Sequence, residues 1–149
     1  MPVSEARGTV RGMDQRLSLV TLVVADVAAS RRFYADGLGW TPSFEEDGEV
    51  VMFQVGEHVL LSLWQESHAV AELGPVMRGG TAPLTLAHNV GSRAEVDDVL
   101  DVARHAGATF LETGSDRAWG GYSGYFADPD GFRWEVAWAP GAVGAAVVP

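Results

Sequence analysis

The chain has 149 residues, 47% of them hydrophobic, with 20 acidic against 10 basic side chains for a formal charge of −10. That length suits one domain or two half-domains sharing a core, and the acidity argues against a nucleic-acid partner, whose phosphates reward Lys and Arg. Cys is absent, which excludes disulfides, thiolate metal sites and cysteine nucleophiles, and no stretch reaches the ~20 apolar residues of a membrane span.

The first 16 residues mix charge with Gly and carry no apolar run, so they are expected to be a flexible leader rather than a secretory signal. A soluble, cytoplasmic protein without membrane contacts follows. Leu17 to Ala25 is β-branched and too short for a helix, which predicts a buried strand. Asp26 caps a helix carrying Val27, Phe33, Tyr34 and Leu38, closed by Gly37 and Gly39. Trp40 to Glu46 reads as an edge strand because Pro42 interrupts it. Glu49 to Val55 and His58 to Trp64 read as a hairpin about Gly56-Glu57. Residues 65–82 are rich in Gly and Pro and form a linker, with a helical turn around Ala69 to Leu73.

Pro83 to Val90 is again a strand. Ser92-Arg93-Ala94-Glu95 is a capping box opening a helix with Val96, Val99, Leu100 and Ala103 inward, ended by Gly107. Thr109 to Glu112 is a short strand and Arg117 to Gly121 a loop. Tyr122 to Ala127 and Phe132 to Trp138 form a second hairpin about Asp128-Pro129-Asp130-Gly131, where Pro fixes φ and Gly takes a positive φ. Residues 139–149 are small and read as a flexible tail.

Phe53 to Leu63 lies over Phe126 to Val136 without a gap, 73 residues apart. The order β-α-β-β-β therefore occurs twice, at about 17–64 and 83–138. The predicted class is α+β: two βαβββ modules side by side, their strands curving into a mixed cup with the helices outside. A ligand groove is expected where the modules meet.

Asp26-Val27-Ala28-Ala29-Ser30-Arg31-Arg32-Phe33-Tyr34 early and Asp128-Pro129-Asp130-Gly131-Phe132-Arg133-Trp134-Glu135 late resemble the vicinal oxygen chelate superfamily. That group contains glyoxalase I, extradiol dioxygenases, fosfomycin-modifying enzymes and bleomycin-resistance proteins. The resemblance implies four metal-ligand slots, two per module, which fall at Leu19, Ser62, Thr85 (Leu84 if the register slips) and Glu135. Only Glu135 is a good ligand, whereas a divalent ion needs several N or O donors. His58, His68 and His105 lie off the slots, and alternation points His88 away from the Thr85 side. No metal and no cofactor are therefore expected, and the chain is similar in character to the metal-free bleomycin-resistance branch, in which chains pair as homodimers.

The candidate ligand-binding residues are Glu135, Ser62, Trp64, Trp119, Tyr122, Leu19 and Thr85. Glu135 is a cavity carboxylate able to hold a cation or act as a base, with Ser62 its counterpart in the other repeat and a hydrogen-bond candidate. Trp64 shares the Ser62 face by alternation, whereas Trp40 and Trp134 belong to the core. Trp119 opens a Gly-rich run, through Tyr122, that could form a stacking rim. Gly120, Gly121 and Gly124 lack the Lys-Ser/Thr of a phosphate loop, and no G-x-S-x-G occurs.

Two functions follow. One is metal-free sequestration of an aromatic or cationic natural product; the other is a metal-independent isomerase, cyclase or lyase with Glu135 as acid/base. A divalent-metal enzyme borrowing ligands from its partner chain is a third. The feature separating the first two is a second titratable group reaching Glu135, and alternation identifies none.

Overall fold

The computed structural model describes residues 12–149; most of the expected leader, residues 1–11, lies outside the described residues. In chain order the elements are β1 (Leu19–Val24), α1 (Val27–Arg31, continued by a wider π turn over Arg32–Gly37), β2 (Phe44–Glu46), β3 (Val50–Gly56), β4 (Val59–Gln65) and α2 (Glu66–Leu73). They continue with β5 (Leu86–Asn89), α3 (Arg93–Ala106), β6 (Phe110–Asp116), β7 (Tyr122–Ala127), β8 (Arg133–Trp138) and α4 (Gly141–Val147).

The class is α+β, with two βαβββ modules side by side. Their strands form two four-stranded mixed sheets, ordered β1-β4-β3-β2 and β5-β8-β7-β6. In each, the opening strand runs parallel to the closing strand and the rest are antiparallel. The sequence echo holds in register. Ser62 sits between Thr21 and Met52 as Glu135 sits between Ala87 and Tyr125, and the β3/β7 pair Met52/Tyr125 and the β4/β8 pair Ser62/Glu135 are each 73 residues apart.

Local chemistry starts the helices as expected. The Asp26 carboxylate accepts from the Ala28 and Ala29 amides, and Ser92 accepts from Glu95 N–H while Glu95 reaches back to Gly91 N–H. Gly107 ends α3 in the left-handed region at φ +97°. Other segments differ in extent. The second opening strand is only Leu86–Asn89, so Thr85 precedes it, and the linker contains two full turns of α2. The terminal segment carries α4, with Gly144 packed against the Ala139 carbonyl where no side chain would fit.

Both sheets turn the same kind of face toward one core. Leu61, Leu63 and Phe53 enter it from the first sheet, Phe126, Trp134 and Val136 from the second, with Phe33 and Tyr34 of α1 between them. Tyr34 and Trp40 bridge the two sides, each lying 5.5–6.2 Å from both Phe53 and Trp134. The helices α1 and α3 touch at Gly37, where a Cβ would lie 2.5 Å from the Ala106 Cβ. Gly37→Ala is expected to cost about 1–3 kcal/mol by overpacking this contact. The double variant Gly37→Ala/Ala106→Gly should recover part of the loss in thermal denaturation, whereas simple additivity would show that the helices do not meet there.

A second tie joins the modules. The turn after β7 sends two carboxylates into the first module. Asp128 is fully buried; its Oδ2 accepts from the Tyr34 hydroxyl at 2.6 Å and its Oδ1 from the Asp130 and Phe132 amides. The Trp134 indole N–H donates to the same Tyr34 oxygen. Asp130 accepts from Ala25 N–H, the Ser30 hydroxyl and Arg78, whose guanidinium also reaches Glu66 and the Val23 carbonyl. The turn is thus a latch between the halves.

Candidate functional site

Strand alternation gives each sheet a second face, turned away from the shared core. On the first sheet it carries Leu19, Thr21, Met52, Ser62 and Trp64; on the second Ala87, Ser123, Tyr125 and Glu135. Because the core lies between the sheets, these two faces point outward from a single chain in different directions. Ser62 and Glu135 therefore do not face one another across a groove within one chain.

On the second face Glu135 is half-buried, and its Oε2 accepts from the Tyr125 hydroxyl at 2.6 Å. This bond to a carboxylate, with partial burial, holds the Tyr125 phenol above its usual range. Arg117 lies beside it, its guanidinium 5.7 Å from the Tyr125 ring and donating to the Ser123 hydroxyl, the Ser123 carbonyl and Glu112. The cation is thereby engaged, and among the described residues Glu135 Oε1 accepts no hydrogen bond, which leaves it free as an acceptor. On the first face Ser62 is 2% exposed and Trp64 half-buried, with the indole next to Val23 and Val50 across the strands.

The other expected residues scatter. Leu19 shares the Ser62 face but pairs with Leu60, two residues from the level of Ser62, which Thr21 occupies. Thr85 is exposed ahead of β5, and Ala87 is the residue level with Glu135. Trp119 is 54% exposed on the loop before β7, its ring against Gly121. Tyr122 lies on the helix-facing side, where its hydroxyl donates to Asp97 of α3 at 2.7 Å. Trp134 is buried and Trp40 half-buried in the core. Tyr125 was missed by the sequence reading.

The donor set does not suit a divalent ion. Among the described residues no three His, Asp or Glu side chains come together, and Glu135 has only hydroxyl and apolar neighbours across the strands. Thr21, Ser62 and Met52 on the other face would add no imidazole or carboxylate.

The chain belongs to the glyoxalase/bleomycin resistance protein/dioxygenase superfamily, whose family model matches residues 16–136. It is similar to a glyoxalase-related enzyme from Fulvimarina pelagi, with 33% identity over 85% of this chain and 89% of that one, at a TM-score of 0.77. A glyoxalase/bleomycin resistance protein/dioxygenase from Nocardioides aligns at 26% identity, covering 94% and 92%, with a TM-score of 0.69. Lactoylglutathione lyase from Agrobacterium tumefaciens aligns at 25%, covering 84% and 94%, with a TM-score of 0.63. No curated protein matches. Among the described residues no helix is long and apolar enough to cross a membrane.

Proposed function

We propose that this chain is a metal-free ligand-binding protein of the superfamily, acting in the cytoplasm as a homodimer that sequesters an aromatic or cationic small molecule. The observation that carries it is the half-buried Glu135, fixed by Tyr125 on an open sheet face where the other carboxylate, Glu112, is taken up by Arg117 and no group of three metal-ligating side chains forms among the described residues. A carboxylate held this way meets a ligand ammonium or N–H, and the −10 charge draws cations toward it. Flat apolar surface buried against Trp64 adds ~25 cal/mol per Å² before ordering costs.

Pairing of two copies supplies what one chain lacks. The opening strands β1 and β5 are sheet edges, and Leu19, Leu84, Ala87 and His88 are exposed along or beside them. Exposed edges invite partners. A second copy that sets its Glu135 face against the Trp64 face of the first would close a groove from two open walls.

The test is a Trp-fluorescence titration against flat cationic antibiotics, with the bound compound recovered for mass spectrometry. Trp64→Ala and Glu135→Gln should each weaken binding roughly tenfold or more. Compound recovered unchanged supports sequestration, and wild-type affinity in both variants would refute the assigned faces. A converted product favours the second reading, for which the Tyr125–Glu135 contact is the specific observation. It is the second titratable group that an acid/base pair needs.

A further inference from the structure

The cavities between the modules lie on the opposite, helix-facing side of the sheets and are lined by none of Ser62, Trp64, Tyr125 and Glu135. One of about 210 Å³ is walled by Trp40, Trp134, Phe126, Val99 and Val102, with His88 at its edge. It adjoins a second of about 420 Å³ that shares Trp40, His88 and Trp134 and runs on to Phe53 and Leu61. We propose that the smaller cavity is a second binding site, for a neutral, flat molecule of one or two fused aromatic rings bearing a hydroxyl.

The walls set the shape of the occupant. The Trp40 and Trp134 rings stand 81° apart with centroids 5.8 Å from each other, which makes a right-angled aromatic corner. Phe126 stacks on Trp134, its plane 6° from parallel and its centroid 6.0 Å away, and backs that wall. A flat ring laid on one indole meets the edge of the other, so both preferred aromatic geometries are available at once. The corner is rigid. Trp134 is held through its indole N–H to Tyr34, which is held in turn by Asp128. Apolar cavities of ~150 Å³ already accept benzene, so this volume accommodates one or two rings.

The polar requirement comes from His88. It is exposed and faces the cavities from β5. Neither Asp nor Glu lines either cavity, although the chain carries 20 of them, so nothing here rewards a cation. A neutral hydroxyl donating to the free imidazole nitrogen satisfies both partners. This chemistry differs from that of the Glu135 face, and the inference stands without the function proposed above.

The probe is 2-naphthol, compared with 2-methylnaphthalene, which has its shape without the hydroxyl, by isothermal titration of the full chain. Saturable binding of one 2-naphthol per chain is expected. Val102 is 47% exposed at the rim, so Val102→Trp should fold and should block the cavity, lowering affinity roughly tenfold or more. Val143→Trp, on the exposed face of α4, is the matched surface control and should bind as wild type. 2-Naphthol should bind about fivefold tighter than 2-methylnaphthalene, and His88→Ala should erase that preference. Absence of saturable binding, or wild-type affinity in Val102→Trp, would overturn the site; a preference that survives His88→Ala would overturn the role of the hydroxyl.

Discussion

Asp128→Ala is expected to be the most damaging single substitution on the surface between the modules, costing about 3–5 kcal/mol in urea denaturation because it orphans three buried donors. The side chain is fully buried and takes three donors: the Tyr34 hydroxyl and the amides of Asp130 and Phe132. Truncation leaves all three without an acceptor, and each buried orphan has its own desolvation cost. It also frees Tyr34, whose ring touches Phe33, Trp40, Phe53 and Trp134.

The same carboxyl makes stability depend on pH in an unusual direction. Burial pushes Asp128 from 3.8 up to about 6, against the hydrogen bonds from Tyr34 and Phe132 that hold it down; neighbouring Asp130 adds to the rise. The folded protein therefore holds this proton more tightly than the unfolded chain. Its contribution to stability is complete below about pH 4 and is lost as pH rises through 6, a change of about 3 kcal/mol. Asp128→Asn isolates it. The amide keeps one acceptor for the backbone donors but does not titrate. The wild type should gain on Asp128→Asn by up to about 3 kcal/mol as pH is lowered from 7.5 to 4. A difference that stays flat over that range would show that the carboxyl titrates normally.

This latch shows where sequence reasoning stops. Asp128-Pro129-Asp130-Gly131 is legible as a tight turn, and Gly131 does take φ +87°. Its side-chain partners, Tyr34, Ser30 and Ala25, are about a hundred residues away, and no local pattern announces them. The strands and their duplication were legible because β-branched runs, alternation and the 73-residue echo are local properties. Alternation gives each strand two faces but does not say which one meets the other module. The half-cups and their side-by-side placement were thus legible, whereas the packing of both about Tyr34 was not.

Levels across a sheet have a similar origin. Leu19 and Thr85 come from counting back along the chain, whereas the parallel pairing with β4 and β8 sets Thr21 and Ala87 level with Ser62 and Glu135. Tyr125 could have been found. A hairpin that pairs Phe126 with Trp134 across its turn must pair Tyr125 with Glu135. Helix α4 had no usable signal, since Gly141–Val147 has small residues and no apolar period.

The outward direction of the two faces leads to the last expected result. Trp64→Ala and Glu135→Gln chains, each defective alone, should restore ligand binding when unfolded and refolded together. If each groove combines the Trp64 face of one copy with the Glu135 face of another, a mixed dimer has one groove carrying both lesions and one carrying neither. Random pairing of equal amounts makes half the dimers mixed, so about a quarter of all grooves should be intact, with wild-type affinity. Stoichiometry in a fluorescence titration reads this directly, because intact and damaged grooves differ in affinity roughly tenfold or more. A chain that closed its own groove would give no recovery at any mixing ratio, since every groove would keep its lesion. The structure favours recovery on geometric grounds: Leu61 and Leu63, which flank Ser62, and Trp134 and Val136, which flank Glu135, point into the same interior. The residues between them in sequence must therefore point away from that interior, each on its own sheet.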